Sequence, residues 1–189
     1  MHTAQKAVNF DLTLFIKAVS LVLGLVLVFN CVKFAIDQRI ASLGTDQVQV
    51  SARAMQKQLQ CMSKNIYWEA ASEPFEGKVA VAQVTMNRMN SGKFPDSVCG
   101  VVYQKNSFYN KVVCQFSWFC ESNHVNKPVH QKLYAESEEV AKMVMLEGFR
   151  LPNLKEALYY HADYVNPKWN KDKITQIGRH IFYKDKSNG

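Results

Sequence analysis

Asn65-Ile66-Tyr67-Trp68-Glu69-Ala70-Ala71-Ser72-Glu73-Pro74-Phe75-Glu76-Gly77-Lys78-Val79-Ala80-Val81-Ala82-Gln83-Val84-Thr85-Met86-Asn87-Arg88-Met89 carries a helix end, a break and a second helix, in that order. Met55, Leu59, Met62 and Ile66 recur at helical spacing, which predicts a helix from about Asp46 to Ala71. Pro74 and Gly77 end it. Gly77 to Met89 is apolar around most of its circumference and rich in alanine, the pattern of a buried central helix. Glu69 falls three residues after Ile66, beside the buried face and directly after two aromatic rings. A carboxyl packed among rings loses hydration, so its charged form is disfavoured and its pKa rises. Such a group can serve as a general acid towards a glycosidic oxygen. The competing reading is a glutamate on the polar edge of an amphipathic helix.

Downstream, Asp96 or Ser97 can cap a short helix reaching Tyr103. Lys111 to Cys120 is aromatic and β-branched and reads as a strand or hairpin. His130 to Phe149 reads as a helix with Leu133, Val140, Val144 and Met145 inward. Ala157 to Ala162 and His180 to Lys184 read as two short strands with an Asn166-Pro167 turn between them. Helices first and short strands after them predict an α+β domain.

Upstream, Leu12 to Ile36 is an apolar stretch whose inner run, Ala18 to Val32, is flanked by Lys17 and Lys33; the whole is long enough to cross a bilayer. The organisation expected is a short cytoplasmic N-terminus (1–11), a transmembrane signal anchor (12–36), a polar helical stalk (37–58) and the domain proper (59–189). A cleaved secretory signal is the alternative. The domain is then expected outside the cytoplasm, held to the inner membrane by a single pass. The chain has 189 residues and a net charge of +7, but no run of five basic residues and no nucleic-acid motif. Its charge therefore suits an anionic polymer or lipid, not DNA. Five cysteines are present: Cys31 in the apolar stretch, and Cys61, Cys99, Cys114 and Cys120 in the domain. The even set of four suits an oxidising compartment. The short spacing favours Cys114 with Cys120, leaving Cys61 with Cys99; four buried thiols are the alternative. No cysteine pair has zinc spacing, and neither metal nor cofactor is expected.

Several separated stretches together resemble SleB-type cell-wall hydrolases, the spore-cortex-lytic family. They are the Tyr67-Trp68-Glu69-Ala70 and Glu73-Pro74-Phe75-Glu76-Gly77-Lys78-Val79 block through Asn87-Arg88, then Phe94-Pro95 with Val98 to Gln104, and Cys114-Gln115-Phe116-Ser117-Trp118. Ala157 to His161 and Ile177 to Tyr183 complete the set. The resemblance covers about Leu59 to Lys184. It implies a lysozyme-like, helix-rich α+β fold with a small antiparallel β element, which the N-terminal membrane helix read above would precede. It also implies peptidoglycan as partner, and cleavage of its glycan strand by a lytic transglycosylase acting as a monomer in lysis, as a phage signal-anchor endolysin does, or in wall remodelling. Glu69 matches the family's catalytic acid, and Gln115, Phe116 and Ser117 match a block lining the sugar cleft. Ala71-Ser72 stands where the family often has Arg-Gly, which implies a different helix exit near Glu73.

Trp118, Tyr160 and Tyr183 are further candidate sugar contacts, each with core packing as the alternative. Glu73 is a candidate neighbour of Glu69 if the helix continues past it. Asn87-Arg88 reads as a buried structural pair, with holding the cleft by hydrogen bonds as the alternative. His161 and His180 lack a zinc motif. Three other functions remain open: an N-acetylmuramoyl-L-alanine amidase, a Cys/His peptidase using Cys114 with His161, and an inactive wall-binding module.

Overall fold

One helix, α1 (Leu12–Ala70), joins the apolar N-terminal stretch to the Glu69 segment without a break in the computed structural model, which describes residues 12–108, 111–121 and 128–186. The expected N-terminal segment 1–11 lies outside the described residues. A separate helix beginning near Asp46 is not found. The polar stretch before it holds no proline, and its single glycine, Gly44, costs a helix only about 1 kcal/mol.

The chain divides into two compact units, Met1–Ala52 and Arg53–Gly189. In the first, Leu21, Leu23, Leu25, Leu27 and Phe29 are each more than half exposed. Left in water, each such side chain forgoes about 1.5–3 kcal/mol of burial. This helix is long and apolar enough to cross a membrane. Asn30 fits there because its Nδ2 donates to the Val26 carbonyl one turn back, at 2.9 Å.

In the second unit α2 (Phe75–Asn90) is the central helix, buried without interruption from Gly77 to Thr85. One side packs against Met62 and Ile66 of α1, Val101 and Val102 of α3 (Val98–Val102), and Val140, Ala141 and Val144 of α5 (Gln131–Met145). Ser97 caps α3, its Oγ accepting from the Gly100 amide at 3.1 Å. The other side of α2, at Ala80 and Val84, packs against Leu154, Ala157 and Phe182. Helices thus cover one flank of α2 and a sheet the other.

A polar stripe on α2 fixes that second contact. Gln83 holds both backbone groups of Leu151, donating to O at 3.1 Å and accepting from N at 2.7 Å. Asn87 donates to the carbonyls of Leu154 and Ala157 at 2.8 and 2.9 Å, and Arg88 Nε donates to that of Leu158 at 2.7 Å. The stripe satisfies backbone groups that would be costly to bury unpaired.

The sheet is antiparallel, in the order β3 (Tyr159–Ala162), β5 (His180–Asp185), β4 (Lys171–Ile177). β4 escapes the sequence reading because Lys-Asp-Lys-Ile-Thr-Gln-Ile is charged and poorly alternating; pairing with β5 forms it, as an edge strand. A hairpin joins β1 (Lys105–Phe108) to β2 (Lys111–Cys114). The expected strand through Cys120 stops at Cys114, and Ser117–Cys120 is the short helix α4. An extended run of six residues spans about 20 Å. The helical turn instead brings the Cα atoms of Cys114 and Cys120 to 5.8 Å, where the two are bonded. Cys61 is bonded to Cys99, tying α1 to α3.

Candidate active site

Glu69 is the penultimate residue of α1, and its side chain is half-buried. The Tyr160 phenol, on β3, donates to its Oε2 at 3.0 Å. Burial raises the pKa of Glu69; the Tyr160 hydrogen bond and the nearby Arg88 cation pull it down, Glu121 pushes it up, and the balance lies above the usual carboxylate value. Tyr160 is itself held well above its usual pKa by burial and by Glu69, so it remains a donor.

Arg88 completes the surroundings from α2. It is 4% exposed and lies about 5 Å from the ring centres of Phe94 and Phe116, at 5.3 Å each, and 6.0 Å from that of Tyr160. The Gln115 amide oxygen, in the orientation that satisfies both groups, accepts from Nη1 and Nη2 at 3.2 Å. With Leu158 O on Nε, the guanidinium is satisfied by neutral acceptors. Its charge thus remains available to a Glu69 that has lost its proton. Of the two roles the sequence offers Arg88, holding the cleft or packing as a buried structural residue, its place beside Glu69 favours neither alone; that place, next to Phe94-Pro95 and Gln115-Phe116, depends on pairings between distant segments.

Other expected contacts fall elsewhere. Trp118 is 7% exposed, its Nε1 donating to Asn65 Oδ1 at 3.1 Å, and its ring stacks on Trp68 at 6.4 Å. It is a core ring and offers no face to a sugar. Phe116 is 3% exposed and lies under Arg88, so it too acts through packing. Ser117 is exposed at the start of α4. Tyr183 pairs with Tyr159 across the β3–β5 ladder and points away from Tyr160, towards His161, whose Nε2 lies 2.9 Å from its hydroxyl. Glu73 does not stand on the same helix as Glu69. The chain turns after Ala70, and Glu73 Oε2 accepts from the Arg179 amide at 3.0 Å. Cys114 is in a disulfide, so the thiolate needed for a Cys/His peptidase is not there.

A half-buried acid, a phenol donor and a buried cation gathered from three elements suit reversible proton transfer. A family profile described as Cell Wall Hydrolase matches residues 72–183. The chain belongs to this family. Glu69 stands three residues before the matched segment, so its role rests on its surroundings. The spore cortex-lytic enzyme of Oceanobacillus iheyensis is 31% identical over 145 residues, 75% of this chain and 46% of its own length. That of Bacillus subtilis is 30% identical over 132 residues, 66% of this chain and 36% of its own. The chain therefore spans less than half the length of these curated relatives. The crystal structure of the catalytic domain of the Bacillus cereus SleB protein superposes with a TM-score of 0.51 at 29% identity, covering 68% of this chain and 91% of that one. The helix-rich α+β architecture of the chain is that of the SleB catalytic domain.

Proposed function

We propose that this cell wall hydrolase cuts the glycan strand of peptidoglycan between muramic acid and glucosamine as a lytic transglycosylase, with Glu69 as both acid and base. The observation that carries the reading is the half-buried Glu69 carboxyl, its pKa raised by burial and its Oε2 accepting a hydrogen bond from Tyr160. Protonated Glu69 gives its proton to the leaving glycosidic oxygen. The glutamate left behind is stabilised by the Tyr160 hydroxyl and the Arg88 charge. It then takes the proton of the muramic acid 6-hydroxyl, whose oxygen attacks C1 and closes a 1,6-anhydro ring. No water is consumed, so one carboxylate suffices.

A hydrolase would need a second carboxylate about 5–5.5 Å away for retention, or about 6.5–9.5 Å for inversion. Glu73 is bound to the Arg179 amide and Asp163 to the Arg179 side chain. Glu76 is exposed on the first turn of α2. Glu121 is the acid whose field reaches Glu69, and it is the residue to replace if water proves to be the nucleophile.

The apolar segment 12–36 fits a single-pass anchor, 37–58 a stalk, and the two cystines a location outside the cytoplasm. Such an enzyme would act in lysis or wall remodelling.

The test is mass spectrometry of products released from purified peptidoglycan by the full chain in detergent, beside Glu69→Gln. Anhydro-muropeptides that vanish in the variant are expected. Reducing-end products would mean a hydrolase, free stem peptides an amidase, and no products a binding module.

A further inference from the structure

The β3-β5-β4 sheet buries one face against α2 and leaves the other partly exposed, with Phe94 against Tyr159 at 6.3 Å. Alternation along the strands sends Tyr160 and Phe182 inward and Tyr159, His161 and Tyr183 outward. Trp169, just before β4, lies edge-on to all three outward rings, at 6.2 Å from Tyr159, 5.6 Å from His161 and 5.9 Å from Tyr183. Its side chain is 45% exposed. His161 stacks on Tyr183 at 5.2 Å, and Lys171 Nζ sits 3.9 Å over the Tyr159 ring. The polar atoms of this group are paired within it: Tyr159 OH donates to Asp185 Oδ1 at 3.0 Å, and His161 Nε2 meets Tyr183 OH. Four rings, three of them with their polar side-chain atoms paired, form a surface that proton transfer at Glu69 does not use.

The net charge around these rings is positive. The stretch through β4 and β5 carries Lys168, Lys171, Lys173, Arg179, Lys184 and Lys186 against Asp172 and Asp185. Asp185 is already held by both Lys93 and Lys171. Arg179 and Lys184 are paired with Asp163 and Glu156, while Lys168 and Lys173 are exposed beside the rings; flat rings with such cations suit a pyranose chain that stacks through its C–H faces and bears carboxylates. Peptidoglycan has both, in its N-acetylated sugars and its peptide stems. An anionic lipid surface would match the charge but brings no ring-shaped partner for Trp169.

We infer that Trp169, with Tyr159, Tyr183 and Lys173, forms a second, non-catalytic contact for a peptidoglycan strand on the face of the sheet opposite Tyr160. The choice of polymer rests on the function proposed above. The contact holds the enzyme on insoluble wall without touching the bond that is cut.

The experiment is co-sedimentation of the full chain in detergent micelles with purified insoluble peptidoglycan, in a Glu69→Gln background that leaves the polymer intact. Trp169→Ala is expected to weaken binding about threefold to tenfold, and Trp169→Phe much less. Lys173→Glu, an exposed position whose replacement disturbs no core, is expected to weaken it as well, and binding is expected to fall as salt rises. With Glu69 intact, Trp169→Ala is expected to cleave short soluble glycan fragments at the parent rate.

The inference is overturned if both variants sediment like the parent. It is equally overturned if Trp169→Ala slows soluble and insoluble cleavage alike, or if the variants lose binding to anionic lipid vesicles and not to peptidoglycan. Binding that depends on Trp169 in a protein that releases no glycan product would uphold this contact while removing the proposed activity. Cleavage with binding indifferent to Trp169 and Lys173 would do the reverse.

Discussion

Tyr160 and Glu69 stand 91 residues apart in the chain, yet the phenol donates to the carboxyl at 3.0 Å. The bond opposes the main effect at this site. Burial favours the neutral acid, and the phenol favours the carboxylate. A general acid that must also act as a base needs both influences.

Tyr160→Phe removes the donor and leaves the ring. The pKa of Glu69 then rises further, so the alkaline limb of the activity profile moves to higher pH. A hydrogen bond to a charged group contributes about 1.5–3 kcal/mol, so kcat is expected to fall about tenfold or more, with KM little changed. A pH–rate profile over the two proteins is the check. Superimposable profiles would show that the bond does nothing for the charged state.

Glu69→Gln separates activity from stability. Loss of a general acid costs about a hundredfold to ten-thousandfold in rate. The carboxyl has a folded pKa raised above the usual value of 4.5. A raised pKa means that its contribution to stability is fully present below that usual value and is lost as pH rises through the folded one. The variant is therefore expected to melt higher than the parent at pH 8 and with it at pH 4, as thermal denaturation at the two pH values will read.

Gly178 and Glu73 are coupled. Gly178 has φ +55°, and a Cβ there would lie 1.8 Å from Glu73 Oε2. Gly178→Ala is expected to destabilise the domain by more than about 1 kcal/mol, through both backbone strain and the clash. Glu73→Ala removes the clash but leaves the Arg179 amide without its acceptor. In a double-mutant cycle by chemical denaturation, the pair is expected to cost less than the sum of the two single changes. Strict additivity would mean that the carboxylate moves aside freely.

The two disulfides are expected to differ in what they protect. Cys61–Cys99 closes a separation of 38 residues and Cys114–Cys120 one of 6. By loop entropy, losing the first costs about 4 kcal/mol and losing the second about 2 kcal/mol. The short loop frames Gln115 and Phe116, which hold Arg88. Cys114→Ser/Cys120→Ser is thus expected to lower activity more than its effect on melting suggests. Cys61→Ser/Cys99→Ser is expected to do the opposite. Paired melting and activity measurements test both.

Much of the fold could be read directly. The run from Gly77 to Thr85 has apolar residues all round, and only a central position lets a helix bury such a run. Pro74 marked the break, although Gly77 falls within the first turn of α2, and of the two caps read for α3, Asp96 or Ser97, the structure uses Ser97; these act through the backbone nearby. The short spacing of Cys114 and Cys120 suggested their pairing, although a helical turn and not a hairpin brings them together. β4 was not legible, because an edge strand needs a neighbour more than it needs an apolar pattern. The roles of the aromatic residues were not legible either. Trp118, Tyr160 and Tyr183 carry the same credentials in one dimension, yet they end in the core, at Glu69 and on the outer sheet face, respectively.

The sequence by itself determined where helices break, which helix is central, that Glu69 lies beside an apolar face, and that an apolar segment precedes the domain. These follow from interactions within a few residues. Only the tertiary structure decided that Tyr160 meets Glu69, that Arg88 lies close enough to favour its ionised form, and that Glu73 serves the β4–β5 turn. Strand register and helix packing set those contacts between residues tens of positions apart, and local pattern carries no record of which distant side chain fills the other half of a contact.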